Sequence, residues 1–459
     1  MSDTSSTPLE KHFNNIHKPF SNFIKAQSTA SFFLLMATII ALWWANSDYA
    51  ISYQQLIHQQ IGFFIGEHYI QTTVKHIMND GLMVIFFFML GLEIKREFIA
   101  GELADPKSRK MLVACALGGM IFPALFYAGF NWSQDSIAGW GIPMATDTAF
   151  ALGVLMLLRK HIPNGLLAFI VGLAIVDDIG ALMVIALFYT EQLSLAYFAG
   201  AISGALLLLV ANAAGVRQPI FYILIGLIIW FLMLKSGIHA TLAGVLIALT
   251  IPARPQSNPE KVLTEAKDVI EDIQVDENNI DVLSNRSDHE KVTKIRVAAD
   301  LASTPLRRWE DALELPVALL IVPLFALTNA GIPLNFDALQ QSVSTPVGLG
   351  IIFGLVLGKF LGIGGACYLA LRLRFGELPG NVQLTHVLGM SFIAGIGFTM
   401  STFIATLAFE HQPETLTVAK MSIMTGSIVA AFLGATLLYV SAKFKGRQED
   451  ENRPVFDNI

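Results

Sequence analysis

Asp177 and Asp178 stand side by side in the run Leu173-Ala174-Ile175-Val176-Asp177-Asp178-Ile179-Gly180-Ala181, in the middle of an apolar stretch over residues 165–189. A stretch of that length crosses a bilayer as a helix. A carboxylate at the centre of such a helix costs roughly 2.5–3.5 kcal/mol to insert, and this one carries two. Carboxylates there mark an ion site, a proton relay or an intramembrane catalytic dyad. Adjacent helical residues point about 100° apart, so the pair cannot face one another. One faces a water-filled cavity, and the other a partner helix or a cation. The cost weighs against burial for structure alone.

The rest of the chain follows the same plan. Of its 459 residues, 54% are hydrophobic and only 14% charged, against about 25% charged in a soluble domain. This is the composition of an all-α polytopic membrane protein. Twelve apolar segments stand out, at 30–46, 78–99, 110–130, 139–159, 165–189, 195–214, 219–234, 237–252, 314–330, 346–371, 383–409 and 417–442. With the N-terminus inside, the inside loops carry 26 of the 30 Lys and Arg residues. That asymmetry predicts an even number of spans and cytoplasmic termini.

Residues 1–29 read as a cytoplasmic tail without a cleavable signal pattern. Residues 30–252 hold transmembrane helices 1–8, residues 253–313 a long, acidic cytoplasmic loop, residues 314–442 helices 9–12, and residues 443–459 a C-terminal cytoplasmic tail. Within the loop, solvated chain is preferred over a short amphipathic helix near residues 262–273. Residues 60–72 read as a hairpin with Gly66-Glu67 as its two-residue turn. An isolated hairpin is marginal in water, so pairing with a second subunit is expected. The two cysteines, Cys115 and Cys367, each lie in an apolar run and predict neither a disulfide framework nor a cysteine metal site. No GxxxxGK[ST] loop or HExxH pattern is present, so neither a nucleotide nor a resident metal is expected, and no nucleic acid partner.

Four further groups of polar residues fall in or near the spans. Thr146 and Asp147 follow Pro143 in a segment whose first half, Gly139-Trp140-Gly141-Ile142-Pro143, is poorly helical. A helix broken at the membrane midplane is expected there, with Asp147 as a cap, an ion ligand, or both. Lys359, deep in the tenth span, must be paired, neutral, or both by turns, with Asp177, Asp178 and Asp147 as candidate partners. The glycine- and hydroxyl-rich string Gly395-Ile396-Gly397-Phe398-Thr399-Met400-Ser401-Thr402 reads as a second break, in the eleventh span. Helices 3–5 and 10–12 then form matching trios of opposite direction, an inverted repeat; glycines serving only helix packing are the alternative. Glu93 and Glu97 share a helix face, read on sequence alone as an interfacial charge cluster. His239 reads as an interfacial hydrogen-bonder, and Asp80 as a vestibule or snorkelling residue.

At five strings the sequence resembles the NhaA family of Na+/H+ antiporters: Gly91-Leu92-Glu93-Ile94-Lys95-Arg96-Glu97; Ala145-Thr146-Asp147-Thr148-Ala149-Phe150-Ala151-Leu152-Gly153; Ala174-Ile175-Val176-Asp177-Asp178-Ile179-Gly180-Ala181; Leu234-Lys235-Ser236-Gly237-Ile238-His239-Ala240-Thr241-Leu242-Ala243-Gly244; and Gly395-Ile396-Gly397-Phe398-Thr399-Met400-Ser401. The family is itself a type case of the inverted-repeat architecture. The resemblance implies a multi-pass protein of the bacterial inner membrane, surrounded by lipid, with two broken helices crossing at the midplane and a periplasmic hairpin that joins a homodimer. It implies electrogenic export of Na+ or Li+ in exchange for protons, activated at alkaline pH, serving Na+ and pH homeostasis, with no enzyme activity and no cofactor. Asp178 looks like the main Na+/Li+ ligand. Asp177 is similar to the family's proton-active carboxylate, paired with the lysine that Lys359 matches. Thr146 and Asp147 match the broken-helix residues of the site. Glu93, Arg96 and Glu97 match cytoplasmic funnel residues tied to pH response, and Glu310 is retained beside them. The chain departs from the family in its long loop, and in Asp311 and Glu314 where familiar members carry histidines. That departure touches the pH set-point and not the exchange chemistry.

Two other classes are weaker. An intramembrane aspartyl protease needs two aspartates that share a proton, and Lys359 would hold a nearby carboxylate ionised. A carrier of organic anions fits the fold class, but the buried carboxylates outnumber the one lysine, which favours a cation.

Overall fold

The computed structural model describes residues 27–451, apart from 66–67, 102, 191–192, 256–259, 261, 263, 265, 270–285 and 335. Most of the N-terminal tail, the Gly66-Glu67 turn and the centre of the acidic loop lie outside the described residues. Eight helices are long and apolar enough to cross a membrane: Val74–Ala100, Pro106–Asn131, Asn164–Phe188, Leu195–Ala213, Pro219–Ser236, Pro305–Asn329, Pro346–Arg372 and Pro413–Lys443. Three further pairs qualify only together, because each is bent: Thr29–Ala45 with Ala50–His58 by 114°, Asp135–Met144 with Thr148–Leu157 by 43°, and Leu384–Ile393 with Phe398–Ala408 by 49°. Among the described residues the count is therefore eight, or up to eleven if each bent pair is one span. The segment expected as the eighth span is a shorter apolar helix, Thr241–Thr250. The chain is a multi-pass membrane protein, and the two breaks foreseen in the fourth and eleventh segments are present.

The small sheet is also present. Strands Gln60–Ile65 and His68–Thr73 pair antiparallel with Ile65 opposite His68, the register that leaves two residues for the turn.

The segment expected as solvated loop differs. The described residues between 260 and 269 are helical, and Arg286–Ala302 forms a further helix. Its charges, which suggest loop, sit on good helix formers, and Arg286 pairs with Glu290 one turn on at 3.1 Å. The next span begins at Pro305, not near residue 314. Pro305 suits a helix start, and Leu306, Trp309 and Leu313, spaced three and four apart, pack one face against apolar neighbours. At the far end, the last helix continues to Glu451, through the start of the expected tail.

The chain forms two compact units. The smaller holds Val84–Arg96 and Glu191–Glu314. Its core includes Phe88, Leu92, Leu208, Ile229 and Leu306. Lys95 Nζ donates to the carbonyls of Leu249 (2.6 Å) and Ile251 (2.5 Å), closing the C-terminal end of the Thr241–Thr250 helix.

The larger unit holds both broken spans. Its tightest crossing joins Pro106–Asn131 to Pro346–Arg372. A Cβ on Gly118 would lie 2.2 Å from the Gly362 carbonyl, and one on Gly362 equally close to the Gly118 carbonyl. Only glycine lets the backbones approach this far. Higher up, Gly358 packs on Pro123 and Gly354 on Pro143 and Pro123, within a π-helical turn, Gly354–Gly358, that immediately precedes Lys359. Such turns recur at functional sites. Together these contacts bring the Lys359 side chain inward.

Candidate functional site

The fourth segment enters the larger unit as a 3-10 turn, Asp135–Met144, and resumes as a helix at Thr148. Between them the chain is extended, with Asp147 as N-cap. The eleventh is interrupted between Ile393 and Phe398. The two interruptions meet. The Asp147 amide donates to the Ile396 carbonyl at 2.6 Å, the Thr146 hydroxyl lies 2.9 Å from the Ala394 carbonyl, and the Ser401 hydroxyl donates to the Ile142 carbonyl at 2.7 Å. A Cβ on Gly395 would sit 2.2 Å from the Leu355 carbonyl, so the second break needs glycine there.

Asp147 closes both second halves. Its Oδ1 accepts from the Phe150 amide at 3.2 Å. Its Oδ2 accepts from the Thr399 amide at 2.9 Å and the Thr399 hydroxyl at 2.5 Å. Helix N-termini present unpaired amides and partial positive charge, and a carboxylate answers both. The capping role allowed for Asp147 is thus present, and it serves two helices rather than one. Three donors already engage its oxygens in this conformation.

Lys359 is fully buried and forms an ion pair with Asp177 Oδ2. Of its three candidate partners, this is the one the fold supplies. The Thr146 hydroxyl joins them: Lys359 Nζ donates to it at 3.0 Å, and it lies 2.7 Å from Asp177 Oδ2. Asp177 Oδ1 is buried and accepts no hydrogen bond from the described residues. An acceptor of that kind costs about 1–3 kcal/mol, more when charged, and it is chemically open to a proton or a cation. Asp178, the next residue on the same helix, is also buried, at 7% exposure.

Glu310, in the smaller unit, lies between two arginines. Arg96 Nε is 3.0 Å from its Oε1 and Arg307 Nη1 is 3.3 Å from its Oε2. Arg96 also lies 3.7 Å from Glu93. Glu93, Arg96 and Glu310 therefore gather as one cluster. Glu97 is buried and belongs to the larger unit. Asp311 and Glu314 are exposed.

Three residues without an assigned role in the sequence reading prove central: Thr399, Ser401 and Arg307. Thr399 and Ser401 stood in the glycine-rich string, and their hydroxyls beside a break were the available signal. Arg307 stands three residues before Glu310, a helical spacing that signals the pair only once the segment is known to be helix rather than loop.

Residues 21–438 match the family model described as Na+/H+ antiporter 1. The chain belongs to this family. It is a family of transporters, not of enzymes. Relatives match across their length. The Na+/H+ antiporter NhaA 1 of Shewanella denitrificans is 62% identical over 444 residues, 96% of this chain and 99% of that protein. The Na+/H+ antiporter NhaA 2 of Psychromonas ingrahamii is 58% identical, over 97% of this chain and 94% of its own. The Na+/H+ antiporter NhaA 1 of Saccharophagus degradans is 43% identical, over 95% of each.

Proposed function

We propose that this chain is an electrogenic Na+(Li+)/H+ antiporter that exports sodium against an inward flow of protons by alternating access. The observation that carries the reading is the buried cluster of Lys359, Asp177 and Thr146 at the meeting of two helix breaks, with Asp178 next to it. Na+ is a hard cation and takes oxygen ligands. Asp178 is its principal ligand, with Thr146 and Asp147 completing the site. Asp147 joins once a Thr399 donor turns away from it. Protons and Na+ compete for the same carboxylate oxygens. As cytoplasmic pH rises the aspartates ionise and Na+ binds. The loaded trios, helices 3–5 and 10–12 of a twelve-helix inverted repeat, then expose the site to the outside, where protons displace Na+ and the protonated form returns. More than one proton enters for each Na+, and the second travels on Asp177 or Lys359. Glu93, Arg96, Glu97 and Glu310 set the pH response, giving activation at alkaline pH. The protein works in a bacterial inner membrane with both termini in the cytoplasm, as a homodimer joined through a periplasmic hairpin.

Everted vesicles from an antiporter-deficient host test this. A respiratory pH gradient is established, and NaCl, LiCl or KCl is added between pH ~6.5 and ~8.5, from the ordinary histidine value into the alkaline range. Na+ and Li+, but not K+, are expected to collapse the gradient, and Asp178→Asn to abolish the effect with the protein still inserted. Wild-type exchange in Asp178→Asn would remove the assignment. No response to Na+ or Li+ from folded wild-type protein would remove the function.

A further inference from the structure

The chain has only two cysteines, and the fold brings them together. Cys115, on the span Pro106–Asn131, and Cys367, on the span Pro346–Arg372, lie close enough for their thiols to interact. The contact sits about one turn from the Gly118–Gly362 crossing, where a Cβ on Gly118 would also lie 2.8 Å from Ala366 Cβ. A third sulfur joins them: Met111 Sδ is 3.9 Å from Cys115 Sγ. All three residues have no exposed surface, and both thiols are free. Spacing along the sequence gave no hint of this cluster, because it depends on two spans crossing.

We propose that Met111, Cys115 and Cys367 form a buried three-sulfur site for a soft monovalent metal ion of the Cu(I) or Ag(I) class. Thiolate and thioether sulfur select such ions, while Na+ and Mg2+ prefer oxygen. One ion can bridge two sulfurs only where they lie a few ångström apart, and Met111 Sδ and Cys115 Sγ are 3.9 Å apart. Zinc takes four ligands in structural sites, and among the described residues no group of three or more His, Cys, Asp or Glu gathers to supply them. The site can take a monovalent ion without gaining net charge. One thiol loses its proton and forms the bond, M+ + Cys–SH → Cys–S–M + H+. The second thiol and the thioether then donate lone pairs, and the filled site is neutral. A neutral complex suits a membrane interior, where a net charge is costly. Bound metal would staple the two spans about two turns from Lys359.

The test uses the purified full chain in detergent, reduced and then freed of reductant without air. Silver nitrate is the probe, in chloride-free buffer with excess free methionine to strip exposed sulfur and imidazole sites. One silver ion per chain is expected after gel filtration, with one proton released per ion bound. Cys115→Ser and Cys367→Ser should each weaken retention by about 10–100-fold, and Met111→Leu, a volume-conserving change, by at least about tenfold. The thermal unfolding midpoint of each variant without silver checks folding, and Met111→Leu keeps the test intact if a cysteine variant fails it. Uptake by wild type no greater than that of the double variant Cys115→Ser/Cys367→Ser would overturn the proposal. So would unchanged uptake in the variants, or a wild-type chain whose two thiols close to a disulfide in preference to binding silver.

Discussion

The Lys359 ammonium and the Asp177 carboxylate form an ion pair in the interior of the larger unit, and the Thr146 hydroxyl touches both. Removing one partner of such a pair strands the other charge, at about 3–5 kcal/mol. Lys359→Met is expected to destabilise the protein by that amount, and Asp177→Asn/Lys359→Met to recover most of it. Unfolding in detergent, arranged as a double-mutant cycle, measures the coupling. Additive losses would mean that the two charges do not depend on one another.

Thr399 gives Asp147 two of its three hydrogen bonds. Thr399→Val keeps the amide and the shape but removes the hydroxyl. A hydrogen bond to a charged group is worth about 1.5–3 kcal/mol. A loss of that size is expected, together with weaker Na+ retention if the two half-helices must stay aligned to hold the ion. Isothermal titration with Na+ beside the unfolding curve separates the two effects.

Gly362 and Gly365 stand on the same helix and should behave oppositely. A Cβ on Gly362 would lie 2.2 Å from the Gly118 carbonyl, whereas one on Gly365 meets nothing within 4 Å. Gly362→Ala should cost about 1–3 kcal/mol or more through overpacking. Gly365→Ala should be neutral, or more stable by up to about 1 kcal/mol from helix propensity. Melting curves of the two variants decide it, and similar values would show that the crossing relaxes freely.

Glu310 is held by Arg96 and Arg307. If this cluster sets the pH response, Glu310→Gln should shift the pH of half-maximal exchange while leaving the maximal rate within about twofold, since the residue lies outside the exchange cluster. Vesicle assays across the pH range read the shift. Loss of exchange at every pH would make Glu310 part of the transport path instead.

Asp105 caps the span Pro106–Asn131, accepting from the Ser108 and Lys107 amides at 2.8 and 3.1 Å. These bonds, that of Ser108 foremost, hold its carboxyl below the usual carboxylate range. A depressed folded value gives stability that is present above the unfolded value of about 3.9 and lost as pH falls through the folded one. Asp105→Ala should therefore lower the melting temperature at neutral pH, and the gap from wild type should close under strong acid.

Much of this was legible in the chain. Apolar length located the straight spans, because a bilayer demands it. Pro143 with Thr146 and Asp147, and Gly395 with Gly397, located the breaks, because those residues cannot continue a helix unaided. The buried charges of Asp177 and Lys359 announced a site by their cost. The residues alone left Asp177, Asp178 and Asp147 open as partners of Lys359, and only the family resemblance pointed to Asp177, since helix rotation decides the pairing. The second cap made by Asp147, which joins residues far apart in sequence, was not legible. The helix Arg286–Ala302 was missed because its charges resemble those of a solvated loop, and the start at Pro305 because Leu306 and Trp309 are spaced among charged neighbours.

The cap that Asp147 places on the second broken helix joins residues 252 positions apart, and the Lys359–Asp177 pair spans 182. At roughly 5–20 residues per second, a ribosome needs about 10–50 s to cover the longer distance. For that interval the early carboxylates are already in or near the bilayer without the lysine and the helix end that later satisfy them. Biosynthesis must shelter them, in water, by protonation or beside the insertion machinery, until the last quarter of the polypeptide arrives. A nascent chain arrested before Lys359 should therefore be the form most exposed to membrane quality control.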